Sequence, residues 1–583
     1  MAQSQPRIEY RLGMSRPSTH LFEIEMTLEN LPQNEQSLEV VLPVWRSGRY
    51  VVFDFAGGVD EFWATDASGK SLPWRKTDKT TWRIDLQKSN TVRIQYKMFA
   101  NEFHLRTKGL NDEHAFVDPM SVFMYVEKFR SLPLTLIISP YKNWHVTTGL
   151  EAVKGEKNTF TAPNYDYFAD CPLEIGDHKD FEFEAEGKKH VIAIAGEGPY
   201  DPEVLKKDFA KIVKQHKEFW GDLPYDRYVF MIHLTTQGSG ATEHINSTIL
   251  LTRPTTFASA ETYKRFLSTV AHEFFHTWNV KQLRPKGISP YDYTKENYTE
   301  ELWIAEGITS YYPALFLVHG GFRSVSWYIE SLGANIRDHR MRPGNTRQSL
   351  SEASFDAWVK HWRGNPQAYN FETDYYDKGS DVGLLLDLEI RSSSGNKSSL
   401  DDVMRMMYRR FPLGKGGYTV HDFQKAAEEA AGKSLQQFFN DYVHGTRPLE
   451  WEQYLGYAGL EVVEFQQQNS VWLGIGTTET AGTTRINRVI AGSPAYEAGL
   501  DINDELIAID GMRVKHSDWA DRVNLYKPGT KIRVSVFRAD RLREFEVTLQ
   551  EEKVPYYSVQ RVKNPTDLQK SIFESWLKTK WEN

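Results

Sequence analysis

The chain has little cysteine and no long apolar stretch. Its 583 residues include a single cysteine, Cys171, so no disulfide can form within the chain. It has no run of about 18 consecutive apolar residues, so no membrane span is predicted. The start, MAQSQPRIEYRLG, lacks the basic and then apolar segments of a signal peptide. We therefore expect a cytoplasmic protein, or alternatively a periplasmic or secreted one whose signal peptide has been removed.

Long runs of like charge are also missing. Lys and Arg number 70, Asp and Glu number 78, and the formal net charge is −8. Nucleic-acid binders usually carry a basic face, so we expect no nucleic-acid partner. At roughly 100–200 residues per domain, the length predicts three or four domains.

The first part of the chain has the period-two alternation of β-strands. Residues 20–31 (HLFEIEMTLENL) and 80–87 (TTWRIDLQ) alternate apolar and polar side chains, and turn clusters such as residues 66–71 separate such runs. This pattern indicates antiparallel strands in a sandwich or a similar layer. We place an N-terminal antiparallel β domain at residues 1–178.

The period then changes to that of helices. Residues 203–221 have a helical pattern, residues 228–234 resemble a buried strand, and helical patterns dominate residues 258–444. Alternating patterns return after a connecting stretch near residues 450–459. The expected fold is therefore multidomain α+β, with a mostly α domain at residues 179–450, a β domain at 451–555, and a tail at 556–583 that docks as a helix.

The mostly α region contains a metal-binding motif. The segment AHEFFHTWNVKQLRP, residues 271–285, has the pattern His-Glu-x-x-His at His272, Glu273 and His276. Residues four apart share one face of a helix, so both imidazoles can reach one Zn²⁺ at about 2.0–2.1 Å. Glu273 is then placed to act on a water molecule as a general base. Apolar spacing and Ser259 as N-cap predict the helix. The alternative is that both histidines are ordinary, partly buried helix residues.

A catalytic zinc also needs a third protein ligand and one open position. Glu306 lies in TEELWIAEGITSYY, residues 299–312, where the apolar spacing predicts a second buried helix. A carboxylate among apolar neighbours is costly unless it is paired or bound to a metal. We predict that Glu306 completes a site for one zinc ion per chain. The alternative is a salt-bridged helix carboxylate.

These two motifs together resemble the gluzincin metallopeptidases, in which a Glu on the next helix completes the zinc site. Here 29 residues separate His276 from Glu306, more than in the usual aminopeptidases of that group. With NVKQLRP after the motif, the chain instead resembles the glycyl aminopeptidase family, the sixty-first metallopeptidase family. The resemblance covers nearly the whole chain. It implies an N-terminal β domain, a thermolysin-like gluzincin catalytic domain and a PDZ domain, and removal of N-terminal Gly, then Ala.

Two further segments extend the resemblance to residues that would contact the substrate. GSGATEHINSTIL, residues 238–250, resembles the family's Gly-rich segment ending in Glu-His, which implies that Glu243 binds the free α-amine. An ordinary loop carboxylate is the alternative. TDYYDKGSDVG, residues 373–383, resembles the Tyr-acidic-Lys-Gly segment, which implies that the Tyr376 hydroxyl supports the oxyanion. Tyr375 competes for that role, and both could be packing residues.

Two departures from the family pattern lie outside the metal motif. In residues 164–178 (NYDYFADCPLEIGDH), Cys171 stands where the family commonly has Ser, and in residues 45–50 (WRSGRY), Ser47 stands where it often has Pro. A single Cys is more often inert filling than a nucleophile, so Cys171 is assigned no role.

The C-terminal β domain resembles a PDZ domain. Residues 473–476 (LGIG) resemble the carboxylate-binding loop, and residues 492–500 and 503–511 match the order of later PDZ elements. A PDZ domain takes an extended peptide onto a sheet edge, so a peptide C-terminus or a sheet-edge ligand is the expected partner. A non-binding PDZ domain that packs on the enzyme is the alternative.

Taken together, the motifs predict a zinc aminopeptidase acting on peptides with a free N-terminus. Glu273 is the predicted base and Tyr376 the predicted oxyanion donor. Two alternatives stay open. One is a zinc endopeptidase of the same fold in which Glu243 is structural, and the other is a PDZ-bearing adaptor with a vestigial site. The intact ligand set and Glu273 argue against the adaptor.

Overall fold

The computed structural model describes residues 5–466 and 471–582. The chain divides into two compact units: the first contains residues 1–298 and 408–417, and the second contains residues 299–407 and 418–583. Residues 1–4, 467–470 and 583, which belong to the predicted N-terminal, PDZ and tail segments, lie outside the described residues. Within the described ranges, no helix combines the length and apolarity needed to cross a membrane.

The first unit is built mainly from strands. In chain order they are β1 Arg7–Gly13, β2 Leu21–Glu29, β3 Ser37–Val41, β4 Val59–Thr65, β5 Trp74–Lys76, β6 Thr81–Asp85, β7 Val92–Phe99, β8 Lys108–Leu110, β9 His114–Val117, β10 Leu134–Ser139, β11 His145–Thr148, β12 Glu151–Ala152, β13 Thr159–Ala162, β14 Leu173–Gly176, β15 Lys179–Ala185, β16 Lys188–Ala195, β17 Arg227–Leu234, β18 Gly240–Glu243 and β19 Ser247–Thr252. The helices are α1 Tyr165–Ala169, α2 Pro202–Trp220 and α3 Ala260–Phe275.

Strands β1 to β14 form three sheets, in the orders β12-β13-β10-β1-β2-β7-β4, β3-β6-β5 and β11-β14-β9-β8. Along β2, every second side chain is buried, as the alternating sequence predicts. The predicted β domain is confirmed. One detail differs, because β1 pairs with β10 in parallel while its other neighbour, β2, is antiparallel.

A five-stranded sheet follows, in the order β15-β16-β17-β19-β18. Strands β16, β17 and β19 are parallel, and β18 runs antiparallel to β19 at the edge. The predicted helix and buried strand correspond to α2 and β17. Ser259 caps α3 as predicted, because its side chain accepts a hydrogen bond from Thr262 N at 3.2 Å. The edge strand β18 ends at Glu243.

The second unit contains most of the remaining helices and a C-terminal group of strands. The helices are α4 Thr309–His319, α5 Val325–Met341, α6 Leu350–Phe355, α7 Ala368–Phe371, α8 Asp377–Ser393, α9 Leu400–Arg410 (of which residues 408–410 belong to the first unit), α10 Val420–Ala431, α11 Gln436–Tyr442, α12 Trp451–Tyr457, α13 Pro494–Ala498, α14 Trp519–Val523 and α15 Asp567–Leu577. The strands are β20 Leu460–Phe465, β21 Val471–Trp472, β22 Ile475–Thr480, β23 Thr483–Val489, β24 Glu505–Ile509, β25 Met512–Arg513, β26 Lys531–Arg538, β27 Arg541–Thr548, β28 Gln550–Glu551 and β29 Tyr556–Arg561.

The predicted C-terminal β domain is confirmed. Its main sheet has the order β22-β23-β24-β26-β27, with β25 paired to β24. The stretch expected only to connect the domains contains α12, and β20 pairs with β29 from the tail. The predicted docked tail helix is α15, in which Trp576 Nε1 donates a hydrogen bond to the Tyr311 hydroxyl at 2.9 Å.

Candidate metal centre

The two histidines of the motif lie at the C-terminal end of α3. The helix ends at Phe275, and His276 follows it with helical backbone angles of φ −61° and ψ −19°. His272 Nε2 and His276 Nε2 are 3.0 Å apart. Two nitrogen ligands of one tetrahedral zinc, each at about 2.0–2.1 Å, lie roughly 3.3 Å apart. The nitrogen pair therefore fits a shared ion.

A backbone carbonyl sets the ring orientation of His276. Its Nδ1 donates a hydrogen bond to the carbonyl oxygen of Asn279 at 2.7 Å. Because a carbonyl oxygen can only accept, the proton is on Nδ1 and the lone pair is on Nε2. A carbonyl partner of this kind is typical of metal-binding histidines, since it fixes both the tautomer and the ring.

Two carboxylates lie beside His276. Glu243, at the end of the edge strand β18, and Glu273, in α3, each place a carboxylate oxygen within 4.8 Å of the other and of a ring nitrogen of His276. Both carboxylates are buried. The first unit thus brings together four predicted site residues: His272, Glu273, His276 and Glu243.

One oxygen of Glu243 is left able to accept a hydrogen bond. Glu243 Oε1 is buried and has no hydrogen-bond partner within residues 5–466 and 471–582. Two buried arginines are near, but both donate to Thr242 Oγ1, from Arg46 Nη2 at 3.1 Å and from Arg106 Nε at 3.0 Å. Gly48 closes the other side, since a β-carbon there would stand 2.6 Å from Glu243 Oε2.

The arginines balance part of this negative charge. Burial lowers the pKa of Arg46, and the charges of Asp118, Glu243 and Glu273 oppose that shift. Burial, followed by Arg46 and Arg49, lowers the pKa of Arg106 to about 9. Because an arginine guanidinium keeps its proton at neutral pH in proteins, both groups place positive charge beside the two glutamates.

A buried polar network lies behind Glu243. Asp170 Oδ1 accepts hydrogen bonds from Lys281 Nζ at 2.8 Å, His244 Nδ1 at 3.1 Å and Ser47 Oγ at 3.3 Å. Lys281 Nζ also donates to Ser47 Oγ at 2.9 Å. Burial acts to raise the pKa of Asp170, but Lys281 and His244 outweigh it, so the pKa falls to about 2. Asp170 is therefore an anion in an ion pair that never reaches solvent.

This network was not predicted from the sequence, although it joins three of the segments that carry the family resemblance. Ser47 comes from residues 45–50, Asp170 from residues 164–178, and Lys281 from the stretch after the histidine motif. The sequence feature that could have indicated the network is charge. A lysine and an aspartate in otherwise apolar, buried segments each need a polar or charged partner. His244, next to Glu243, connects the network to the edge strand.

Glu306 lies in the second unit. It belongs to a π-helical turn, Trp303–Ile308, that runs directly into α4. The sequence predicts an ordinary helix here, and the difference is informative because π turns are rare and occur frequently at functional sites. Glu306 is only 2% exposed.

The π turn packs closely on the start of α8. A β-carbon on Gly307 would stand 2.6 Å from both Gly379 Cα and the Tyr375 carbonyl oxygen. Only glycine permits this approach, which explains the glycine that follows Glu306 and the glycine of the Tyr-acidic-Lys-Gly segment. The contact also puts Glu306 near Tyr375, whose pKa is raised first by burial and then by the Glu306 charge.

Tyr375 and Tyr376 stack at the start of α8, with ring centroids 4.9 Å apart. Their surroundings differ. Tyr375 is fully buried, and its hydroxyl accepts a hydrogen bond from Trp362 Nε1 at 2.9 Å. Tyr376 is half-buried and lines a cavity of about 440 Å³ in the second unit, together with Arg342. A ligand can therefore reach Tyr376 more readily than Tyr375.

The predicted site residues thus fall into two groups. The first unit holds His272, Glu273, His276 and Glu243, and the second holds Glu306 and Tyr376. The completion of the histidine pair by Glu306 stays a prediction.

Family comparisons match three parts of the chain. Residues 9–177 match the Peptidase M61 N-terminal domain, residues 265–382 match the M61 glycyl aminopeptidase, and residues 471–549 match a PDZ domain. The second match includes the histidine motif, the π turn and the start of α8. The comparison with curated proteins gives no match.

Solved structures give a fold match over the whole chain. An aminopeptidase N family protein from Idiomarina loihiensis is 29% identical, with a TM-score of 0.91, over 98% of this chain and 100% of that one. Yeast LTA4 hydrolase in complex with bestatin is 15% identical, with a TM-score of 0.45, over 77% and 67%. An M1 zinc metallopeptidase from Deinococcus radiodurans is 13% identical, with a TM-score of 0.47, over 76% and 94%. The last two are too distant to carry an argument.

Proposed function

The chain belongs to the M61 glycyl aminopeptidase family and is a metallopeptidase, and on this premise we propose that it removes the N-terminal residue from peptides, glycine first and then alanine. The observation that carries the proposal is the pair of buried carboxylates, Glu273 and Glu243, beside His276. A histidine motif with one carboxylate fits any zinc peptidase. A second carboxylate, with an oxygen free to accept a hydrogen bond, fits a zinc peptidase that binds the α-ammonium group of its substrate. The preference for glycine rests on family membership.

We assign the catalytic zinc to His272, His276 and Glu306. The spacing of the two Nε2 atoms, 3.0 Å, supports the histidine ligands. The burial of Glu306 in its π turn supports the third, because a buried carboxylate needs a charged partner. Two imidazoles, one carboxylate and an open position are the donor set of catalytic zinc. When bound, zinc polarises a carbonyl and lowers the pKa of water towards about 7.

Glu273 serves as the general base and then as the general acid. It takes a proton from the attacking water and passes it to the leaving amine. Its position one residue after His272 supports this role, because its carboxylate lies within 4.8 Å of a ring nitrogen of His276, one helical turn further on. The hydroxyl of Tyr376 donates a hydrogen bond to the developing oxyanion, since a phenol with an ordinary pKa near 10 keeps its proton at neutral pH.

Glu243 holds the α-ammonium group of the substrate. A charge-assisted hydrogen bond to its buried Oε1 would pair an oxygen that has no hydrogen-bond partner among the described residues. An N-acetylated peptide offers only a neutral amide, so its binding would bring no ammonium group to Glu243 Oε1 in a buried site. Fixing the ammonium next to the reacting centre also limits cleavage to one residue. This distinguishes the proposal from an endopeptidase.

The PDZ domain is proposed to bind a peptide C-terminus or an extended sheet-edge segment. A groove of about 660 Å³ borders Leu473 and Gly474 of the carboxylate-loop segment and Trp519 of α14. Asn370 fixes the domain to the helical part of the same unit, because its side chain donates to the Val489 carbonyl at 2.8 Å and accepts from Ala491 N at 2.9 Å. The groove therefore has a fixed position next to α7.

Metal analysis tests the ligand assignment. We expect His272→Gln and Glu306→Gln each to lose one equivalent of zinc per chain relative to the wild type, together with peptidase activity. Glu301→Gln is the matched control, since Glu301 is a buried carboxylate of the same segment that accepts from Val420 N at 2.9 Å instead. Full zinc retention by Glu306→Gln would overturn the assignment of the third ligand.

A further inference from the structure

A second group of metal-binding side chains lies in the first unit, away from the histidine motif. Glu174 on β14 is held between His114 on β9 and His233 on β17. His114 Nδ1 donates to Glu174 Oε1 at 2.7 Å, and His233 Nε2 donates to Glu174 Oε2 at 2.6 Å. The ligand-type atoms of all three residues lie within 4.8 Å of one another. None of the three residues belongs to the motifs of the catalytic site.

The strands give this group a fixed geometry. Strands β9 and β14 pair antiparallel, with Glu174 opposite Phe116, so His114 is the diagonal neighbour of Glu174 on the same face. His233 comes from a central strand of the five-stranded sheet. Phe103 stacks on the His114 ring, with centroids 4.5 Å apart and an interplanar angle of 15°. These contacts hold all three side chains in place before any ligand binds.

The group borders a cavity that has room for further ligands. The cavity has a volume of about 590 Å³ and is lined by His114 and His233, among others. The side chain of Glu174 is 1% exposed, that of His233 is 6% exposed and that of His114 is 17% exposed. The carboxylate is thus withdrawn from solvent, while the His114 ring faces the open side.

A third histidine at this cavity has an unused nitrogen. His178 lines the same cavity, and its side chain is fully buried. Its Nε2 lies 2.9 Å from Thr147 Oγ1, but its Nδ1 has no hydrogen-bond partner in the part of the chain that the structure describes. A buried polar atom without a partner carries a free-energy penalty unless something else binds it. This is a second observation that points to a ligand in the cavity.

We propose that His114, Glu174 and His233 form a second metal site, specific for zinc or a similar divalent transition metal, with its open coordination position towards the cavity. Two imidazole nitrogens and one carboxylate oxygen suit zinc, copper or nickel, whereas magnesium and calcium require oxygen ligands. Around a tetrahedral zinc, nitrogen and oxygen ligands lie roughly 3.3 Å apart, so each hydrogen-bonded pair must separate by about 0.6–0.7 Å, and each imidazole must release to water the proton that it donates to Glu174.

The bound ion would join strands of two sheets. His114 and Glu174 belong to the sheet β11-β14-β9-β8, and His233 belongs to the five-stranded sheet. A ligand that binds only the folded state stabilises it by mass action. The ion is therefore expected to raise the midpoint of thermal unfolding. The proposal assigns the ion this stabilising effect and no reaction.

Counting metal ions in four full-length proteins tests the proposal. The proteins are the wild type, His272→Gln/His276→Gln, His114→Gln/His233→Gln, and the protein with all four changes, each loaded with zinc and dialysed. We expect about two, one, one and no ions per chain. His114→Gln/His233→Gln with as many ions as the wild type would overturn the second site. If instead the catalytic assignment fails, His272→Gln/His276→Gln keeps the wild-type count, so the two failures are distinguishable.

Two further measurements separate lost ligands from lost folding. Glu174→Gln keeps the size of the side chain, and in the His272→Gln/His276→Gln background it is expected to abolish the visible absorption of bound Co²⁺. His190→Gln is the control, because His190 is a buried histidine of β16 whose Nε2 lies 2.9 Å from the Tyr225 hydroxyl. It is expected to keep the absorption. Unchanged Co²⁺ absorption in Glu174→Gln would contradict the proposal, and the histidine–glutamate group would then be a metal-free hydrogen-bonded cluster.

Discussion

Gly48 lies directly against the carboxylate of Glu243. A β-carbon at position 48 would stand 2.6 Å from Glu243 Oε2 and 2.8 Å from Oε1, closer than real β-carbon contacts allow. The backbone of Gly48 also has a φ of +81°, which favours glycine. A turn of the N-terminal β domain therefore forms one wall around the proposed ammonium anchor.

Replacing Gly48 should impair catalysis through Glu243. In Gly48→Ala the new methyl group displaces the Glu243 carboxylate, so we expect kcat/KM for free-amine peptides to fall by roughly a hundredfold, as for a displacement of about 1 Å near a reacting centre. Gly69→Ala is the control, since Gly69 has a similar φ of +86° but no described atom within 4 Å of its β-carbon position. Equal activity in the two variants would contradict the role of this contact.

The role of Glu273 as general base can be tested separately from metal binding. Glu273→Gln should retain zinc, because Glu273 is not a ligand in this account, while kcat falls by roughly 10²–10⁴. Zinc content and steady-state kinetics on the same preparation measure both effects. Glu261→Gln is the control on the same helix, where Glu261 is exposed and pairs with Arg265 at 3.3 Å. Substantial residual turnover in Glu273→Gln would exclude it as the base.

The two adjacent tyrosines should respond differently to loss of the hydroxyl. Tyr376→Phe removes the proposed oxyanion donor, and kcat should fall by roughly 10²–10³ with little change in stability. Tyr375→Phe removes the acceptor of the Trp362 hydrogen bond, so it should lower the free energy of unfolding by about 1 kcal/mol and leave kcat nearly unchanged. The opposite pattern would transfer the catalytic role to Tyr375.

The buried Asp170–Lys281 pair should contribute to stability as a unit. Lys281→Met leaves the Asp170 carboxylate without its strongest charge partner, and the free energy of unfolding should fall by about 3–5 kcal/mol. In Lys281→Met/Asp170→Leu no buried charge is stranded, so much of the loss should be recovered. Denaturant unfolding of both variants tests this, and an equal loss in the double variant would contradict it.

Because of the same pair, we expect the free energy of unfolding to depend on pH in the acid range. The pKa of Asp170 falls from its ordinary 3.8 to about 2 in the folded protein. A lowered folded pKa gives stability that is present above the ordinary value and lost as the pH falls through the folded value. The stability difference between the wild type and Asp170→Asn should therefore be constant above about pH 5 and shrink between about pH 4 and 2. A difference that stays constant down to pH 2 would contradict the low pKa.

The helix of the metal motif could be predicted because its determinants are local. The residues His272 and His276 share one helix face, and Ser259 caps the same helix. The π turn at Glu306 could not be predicted in this way, because it depends on the approach of Gly307 to Gly379. Pairs such as Asp170 and Lys281, which are 111 residues apart, leave no periodic signal in a single sequence.

The family resemblance identifies candidate site residues that local sequence patterns do not identify. It singled out Glu243 and Tyr376, whose roles in substrate binding and catalysis stay predictions. It did not single out Glu174, His114 and His233: Glu174 lies within the quoted segment 164–178, but His114 and His233 lie on other strands and outside the quoted segments. Their association depends on strand pairing and sheet packing, which a single sequence does not specify.

The central claim is that Glu243 makes this metallopeptidase an aminopeptidase. The most direct test compares hydrolysis of Gly-Ala peptides with that of their N-acetylated forms, by the wild type and by Glu243→Gln at full zinc content. We predict that the wild type prefers the free amine by roughly a hundredfold or more, since loss of one partner of a buried, hydrogen-bonded charge pair costs about 2–5 kcal/mol. We also predict that Glu243→Gln loses most of that preference. Equal cleavage of both peptides by the wild type would contradict the account and identify the protein as an endopeptidase.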